Sequence, residues 1–171
     1  MIASNTVRLR ADRDAGRLQR LLERCSDYYE LHEAWATPPD AGEYELTLDP
    51  KTAMGTELFV FGLEQERDGE LEAVLQMISD CPQPGTWWIG LLVVAPELRG
   101  RSLGLELARY AVATAADAGA ATMKLAVSLR NPRGLRFWEK AGFRDTEVVC
   151  SVTARSGHVE QGRIMVRETR G

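Results

Sequence analysis

Leu92-Val93-Val94-Ala95-Pro96-Glu97-Leu98-Arg99-Gly100-Arg101-Ser102-Leu103-Gly104-Leu105 decides how this chain is read. An apolar strand runs into a proline-marked turn, then an Arg/Gly/Ser segment, then an alanine- and leucine-rich helix. A helix that starts directly after a strand and a glycine-containing loop points unpaired N–H groups outward at the positive end of its dipole. Such a start is an anion site, suited above all to phosphate or pyrophosphate. A solvated strand-to-helix turn is the competing reading of this stretch alone.

Upstream, Thr86 to Val94 carries almost no polar alternation, as expected of a central strand covered on both faces. Downstream, Ser102 to Ala118 is helical by propensity and Gly119 is its expected stop, with Leu103, Leu107, Ala111, Thr114 and Ala118 along one side. Thr122 to Leu129 is the next strand, so strand, helix and strand form a right-handed parallel crossover. Asn131 and Pro132 are the N-cap and first residue of a further helix, which Ala141-Gly142-Phe143 closes. Leu135, Phe137 and Trp138, in some combination, supply its inward face.

The spacing of these two segments carries a family resemblance. Val94-Ala95-Pro96, Arg99 to Gly104, and Asn131-Pro132-Arg133-Gly134-Leu135-Arg136-Phe137-Trp138-Glu139-Lys140-Ala141-Gly142-Phe143 together resemble the GNAT superfamily of acyl-CoA-dependent N-acyltransferases. The family pattern is Val-x-Pro, Arg/Gln-x-x-Gly-x-Gly/Ala and, later, Asn-x-x-Ala-x-x-Phe-Tyr-Glu-Lys-x-Gly-Phe.

The resemblance implies a mixed α/β (α+β) fold. Its central sheet is mostly antiparallel, with one parallel pair splayed to admit CoA and helices on both faces. Acetyl-CoA is the implied co-substrate, with no metal. Its pyrophosphate would lie on Arg99, Gly100, Arg101, Ser102, Leu103 and Gly104. The pantetheine arm would lie along Val93 and Val94, with Asn131, Phe137 and Trp138 across from it. The implied reaction is direct attack of an amine on the thioester.

Two departures stand out. Ser102 replaces the first glycine of Gly-x-Gly, so it needs a dihedral that serine accepts. Trp138 stands where many members have the tyrosine that protonates the leaving thiolate, and an indole N–H has no usable acidity. Tyr28, Tyr29 and Tyr44 are the alternative phenols. For a general base the candidates are Asp80, at the end of a strand, and Glu30 or Glu33.

The remaining chain frames this core. Val7-Arg8-Leu9 reads as a short strand. Asp12 or Asp14 then caps a helix with Leu18, Leu21, Leu22 and Cys25 as its buried stripe. Helix resumes from Tyr28 to Trp35, until Pro38 and Pro39. From Cys25 to Pro50 there is no Lys or Arg, and seven carboxylates accumulate. This segment is either a solvated acidic face or one wall of a pocket for a cationic substrate. Leu58 to Leu63 and Leu71 to Ile78 form a hairpin through Asp68-Gly69. Thr146 to Thr153 and Val159 to Val166 form a second one.

With 171 residues, 44% hydrophobic and 27% charged, the composition fits one globular domain over residues 1–171. No apolar run approaches a bilayer span, and the opening residues lack a secretory apolar region, so a cytoplasmic protein without a membrane partner is expected. A net charge of −4 with no basic stripe argues against nucleic acid. Cys25, Cys81 and Cys150 form no zinc or disulfide pattern and read as reduced thiols, with Cys150 the best candidate for burial. The sequence leaves a homodimer open. The expected function is transfer of an acetyl group to a small cationic amine. The rivals are a protein Lys or N-terminal acetyltransferase and a CoA-binding module with little catalysis.

Overall fold

A computed structural model describes residues 5–32, 36–64 and 69–170 of the chain. Seven strands form one sheet in the order β1-β2-β3-β4-β5-β7-β6. They are β1 (Thr6–Arg8), β2 (Leu58–Glu64), β3 (Leu71–Ile78), β4 (Thr86–Val94), β5 (Thr122–Ser128), β6 (Arg144–Thr153) and β7 (Val159–Glu168). The helices are α1 (Ala11–Arg24), α2 (Ser26–His32), α3 (Ala41–Thr47), α4 (Leu103–Asp117) and α5 (Pro132–Lys140). All neighbouring strands run antiparallel except β4 and β5. Among the described residues no helix is long and apolar enough to cross a membrane.

The sheet separates two apolar clusters. One includes Leu75, Met77, Leu107, Ala111, Leu125 and Trp138, on the side of α4 and α5. The other includes Leu18, Leu21, Leu22, Cys25, Val74 and Leu91, on the side of α1. The buried stripe of α1 falls as its spacing predicts, with Leu18, Leu21, Leu22 and Cys25 fully inaccessible. The stripe of α4 is rotated from the expected one. Leu107, Ala108, Ala111, Val112 and Ala115 are its buried residues, while Thr114 and Ala118 are not. The choice among small residues was not settled by periodicity, because alanine is compatible with either face.

Strand β4 explains why the sheet opens. Gln76 pairs with Leu91 and Met77 with Ile89, so Gly90 is an extra residue in the ladder. This β-bulge reverses the alternation of side chains. Trp87 and Ile89 lie in the α4-side cluster, whereas Leu91 and Val93 lie in the α1-side cluster. A Cβ at position 90 would come within 2.4 Å of Gln76 Oε1, so any larger residue would push that side chain from its present position. Parallel pairing with β5 is confined to Thr86↔Thr122, Trp87↔Met123 and Trp88↔Lys124, just ahead of the bulge. Beyond Trp88 the two strands diverge.

Several local expectations change. Helix α1 begins after Arg10, which is its N-cap but makes no side-chain cap. Asp14, inside the helix, does the capping: its Oδ2 accepts from Arg10 N at 2.8 Å. Cys150 is only partly buried on β6, whereas Cys25 and Cys81 are buried. Helix α3 and a single 3₁₀ turn at Pro50–Ala53 occupy a stretch in which no element was expected. Glu33 and Trp35, at the end of the expected second helix, and Asp68 of the hairpin turn lie outside the described residues.

Asp14 also carries a pH dependence. Burial opposes its ionisation, but hydrogen bonds from Arg10 N, Arg17 and Arg13 outweigh burial and hold its carboxyl below the ordinary value of 3.8. A carboxylate that is more acidic in the folded chain stabilises it above the unfolded value, and that contribution is lost as pH falls through the folded one. Asp14→Asn should therefore lower Tm at pH 7, and thermal melts should show the gap to the parent closing below about pH 3.8. A gap that stays constant down to acid pH would mean the ion pairs contribute nothing.

Candidate active site

The divergence of β4 and β5 produces one cleft with two ends. The first end is a cavity of about 510 Å³ between Leu92–Val94, the loop after β4 and helix α5. The second, of about 290 Å³, lies between Ile89–Leu92, Leu125–Ser128 and the β6–β7 turn. Tyr28, His32, Leu92, Asn131 and Trp138 line both and mark the junction.

The first end is rich in unpaired backbone donors. Glu106 N is the first amide of α4 to bond back, to Ser102 O at 3.0 Å. Among the described residues the six preceding amides, Gly100 to Leu105, make no main-chain or side-chain hydrogen bond. Gly100 and Ser102 both have positive φ, at 81° and 69°. Alternation into the left-handed region turns successive N–H groups toward a common side, which is how a backbone nest for an anion is formed. Serine takes a left-handed conformation that costs an L-residue roughly 1–2 kcal/mol. The dihedral demanded of position 102 is thus accepted at a strain glycine would not carry.

Cations surround this nest. Arg99, Arg133 and Lys140 all line the cavity, and the last two are residues that the sequence reading did not single out for binding. Arg99 is held from behind: Nε donates to Val94 O at 3.0 Å, and its terminal nitrogens lie 2.5 and 3.0 Å from the Asp27 carboxylate. The hydrogen bond from Arg99 is the main reason that Asp27 stays ionised below its ordinary range. Both partners are well exposed, at 41% and 60%, so the pair orients Arg99 more than it stabilises the fold.

Helix α5 forms the opposite wall. Asn131 caps it as predicted, Oδ1 accepting from Gly134 N at 2.9 Å, with Pro132 in the first turn. Trp138 is 9% exposed and packs edge-on against Phe137 and Phe143, with ring centres 4.9 and 5.1 Å away. Its position is that of a packing residue with one edge on the cleft.

Of the residues expected to hold a donor, Val93, Val94, Arg99, Gly100, Ser102, Gly104, Asn131, Phe137 and Trp138 line this cavity. Arg101 and Leu103 do not. Arg101 is exposed, and Leu103 packs against the α4-side core.

The acid and base candidates are mostly elsewhere. Asp80 lies at the closed end of the β4–β5 pair, with φ of 50° and Oδ1 accepting from Gly85 N at 2.9 Å, so its carboxylate closes a turn. Glu30 is exposed and does not line the cleft. Tyr29 is 3% exposed inside the α1-side core. Tyr28 does line both ends, and Tyr44 lines the second end beneath the Arg155 guanidinium, 4.4 Å from its ring centre.

A group that sequence reasoning missed sits at the junction. His32 Nδ1 lies 2.8 Å from Glu160 Oε1, and Glu160 Oε2 accepts from Ser128 Oγ at 2.5 Å. Glu160 is 8% exposed on β7. The only sequence signal was an acidic residue near the start of a strand, which is weak alone. Among the described residues no cluster of three or more His, Cys, Asp or Glu is placed to hold a metal.

The acidic segment is largely committed to partners inside the molecule. Asp27 binds Arg99, Asp40 binds Arg155 at 2.5 and 2.9 Å, Glu45 accepts from Gln76 Nε2, and Asp49 caps the 3₁₀ turn. It is therefore a source of structural ion pairs more than an anionic wall.

The profile of the acetyltransferase (GNAT) family matches residues 19–143, and the chain belongs to that family. Its fold is shared by solved structures of low sequence identity. An acetyltransferase of the GNAT family from Desulfovibrio desulfuricans is 19% identical with a TM-score of 0.71, over 96% of this chain and 98% of that one. The aminoglycoside acetyltransferase AAC(6')-Ib, in complex with coenzyme A and kanamycin, is 23% identical with a TM-score of 0.69, over 96% and 94%. A spermidine N-acetyltransferase chimera from Vibrio cholerae and hSSAT is 16% identical with a TM-score of 0.67, over 96% and 95%.

Proposed function

We propose that the protein transfers an acetyl group from acetyl-CoA to the amine of a small acceptor. The observation that carries this reading is the continuity of the cleft. A cationic nest of free amides, with Gly100, Ser102, Gly104 and Leu105 lining the cavity, leads between two diverging strands to a second, smaller cavity. A diphosphate fits the nest, because backbone N–H groups and guanidinium forks suit its oxygens. Val94 and Leu92 offer a strand edge to an extended arm, and Phe137 and Trp138 give it an apolar wall. Bound acetyl-CoA supplies the activated thioester. The chain orients the acceptor beside it, excludes water and takes up the amine proton.

The acceptor end favours a small molecule over a protein segment. It is about 290 Å³ and bounded by Tyr28, Tyr44 and the β6–β7 turn. Among its described lining residues Glu160 is the one carboxylate and Arg155 the one guanidinium, so a single ammonium centre suits it better than a polycation. This narrows the expectation of a cationic acceptor.

Two measurements test the reading. Calorimetry should show acetyl-CoA binding well above ATP or NAD. Release of free CoA, followed across amino acids, arylalkylamines, polyamines, aminoglycosides and peptides, should be fastest with a small monoamine. Equal binding of all three nucleotides would remove the donor assignment. Silence across the amines would leave a CoA-binding module.

A further inference from the structure

We infer that His32 is the proton acceptor of the reaction, held in its working tautomer by Glu160 and Ser128. The inference rests on the proposed acetyl transfer and adds the group that the sequence did not declare.

Hydrogen-bond direction fixes the roles. An ionised carboxylate only accepts, so Ser128 donates its hydroxyl proton to Glu160 Oε2, and the proton between His32 and Glu160 Oε1 sits on Nδ1. Ser128 Oγ in turn accepts from Arg130 N at 3.1 Å, which fixes the hydroxyl from behind. Serine is bonded to the carboxylate and not to the imidazole. In this order the imidazole is not placed to deprotonate the serine. With Nδ1 engaged, Nε2 carries the lone pair. Among the described residues it has no hydrogen-bond partner, and His32 lines the cleft.

His32 borders both ends of the cleft, so one ring serves both sides of the reaction. As the N–C bond forms and the C–S bond of the thioester breaks, Nε2 takes the amine proton. The imidazolium then gives that proton to the departing sulfur, leaving the protein unchanged. This accounts for Trp138, because the proton donor that a tyrosine there would supply is already at the junction. Glu160 from β7 and Tyr28 on its own helix, with ring centres 4.5 Å apart, contact His32; Tyr44 and Arg155 share its smaller cavity, and Asp27, Arg99, Arg133 and Lys140 share the larger one. Glu160 and Ser128 are positioning residues.

Two readouts test this. In nitrogen-detected NMR of the wild-type chain, His32 should be the Nδ1–H tautomer, assigned by loss of its signals in His32→Ala against the one other histidine, His158. Glu160→Leu, which offers no acceptor to Nδ1, should abolish that preference. In the amine assay His32→Ala should lose about 100- to 1,000-fold in kcat with a much smaller change in its Kd for acetyl-CoA, and added imidazole should restore part of the rate. Ser128→Ala, a milder change, should lose less rate and shift the pH profile. A wild-type Nε2–H tautomer, or parental kcat in a folded His32→Ala, would overturn the inference while acetyl transfer stands. Absence of transfer by the wild-type chain would overturn both.

Discussion

Gly104→Val is expected to weaken acetyl-CoA binding by at least about 100-fold, roughly 2.7 kcal/mol, while the chain still folds. Gly104 lies in the first turn of α4 and lines the larger end of the cleft. A Cβ there would stand 3.1 and 3.3 Å from Phe137 ring carbons and 3.7 Å from Val94 Cγ2. The two methyl groups of valine extend beyond that point, into the ring or over the free amides. Overpacking costs about 1–3 kcal/mol, and blocked amides add the loss of their anion contacts. The helix itself tolerates the change, since valine is no worse than glycine in a helix interior. Calorimetry gives the affinity and a thermal melt gives the fold. Undiminished affinity for acetyl-CoA in a folded variant would move the donor away from this groove.

Gly42→Ala should have the largest effect on the other end. Its Cβ would fall 2.3 Å from Ala15 O and 2.6 Å from Gln19 N, both backbone atoms of α1 that cannot swing aside. Helix α3 must withdraw, breaking the bond from Gly42 N to Gln19 Oε1, now 2.8 Å. Tyr44 moves with it, and so does the Asp40–Arg155 pair. A loss of about 2–3 kcal/mol is expected, or a Tm lower by roughly 4–12 °C for a chain of this size. The acceptor KM should rise about 10- to 100-fold, because a misplacement of about 1 Å is enough for that, whereas acetyl-CoA binding should stay near the parent's. Parental Tm and KM together would show that the two helices have slack.

These two glycines also mark the limits of sequence reading. The geometry of the half proposed for the donor was legible because its parts are consecutive: a strand, a nest and a capped helix all lie between Val93 and Trp138. Asn131, Pro132 and Gly100 each announce local geometry that depends on little else. Even here, spacing did not reveal that Arg101 faces away or that Lys140 faces in. Gly90 was readable in principle, since a lone glycine in an apolar strand signals a bulge or a close backbone approach. The acceptor half was not. His32 and Glu160 are 128 positions apart, and only the completed sheet brings them together. Helix α3 has seven residues including a glycine, too short and too weak in propensity to be seen without α1 beside it. Asp80 resembled a base because it ends a strand, but the backbone turns there and uses its carboxylate.

The ion pair between Asp40 and Arg155 spans 115 residues and, with His32 and Glu160, joins the early helices to the last hairpin. The anion nest at one end of the cleft is thus written in a single contiguous stretch, whereas the other end also draws on both flanks of the chain. Contacts of such different sequence separation form in different order during folding, with the local half free to organise before the distant one closes. They are also separable in heredity. In the proposed reaction, changes at Tyr44 or Arg155, which line only the smaller end, would redraw which amine is admitted without touching the nest. By that proposal, such a chain would change its acceptor while keeping its donor.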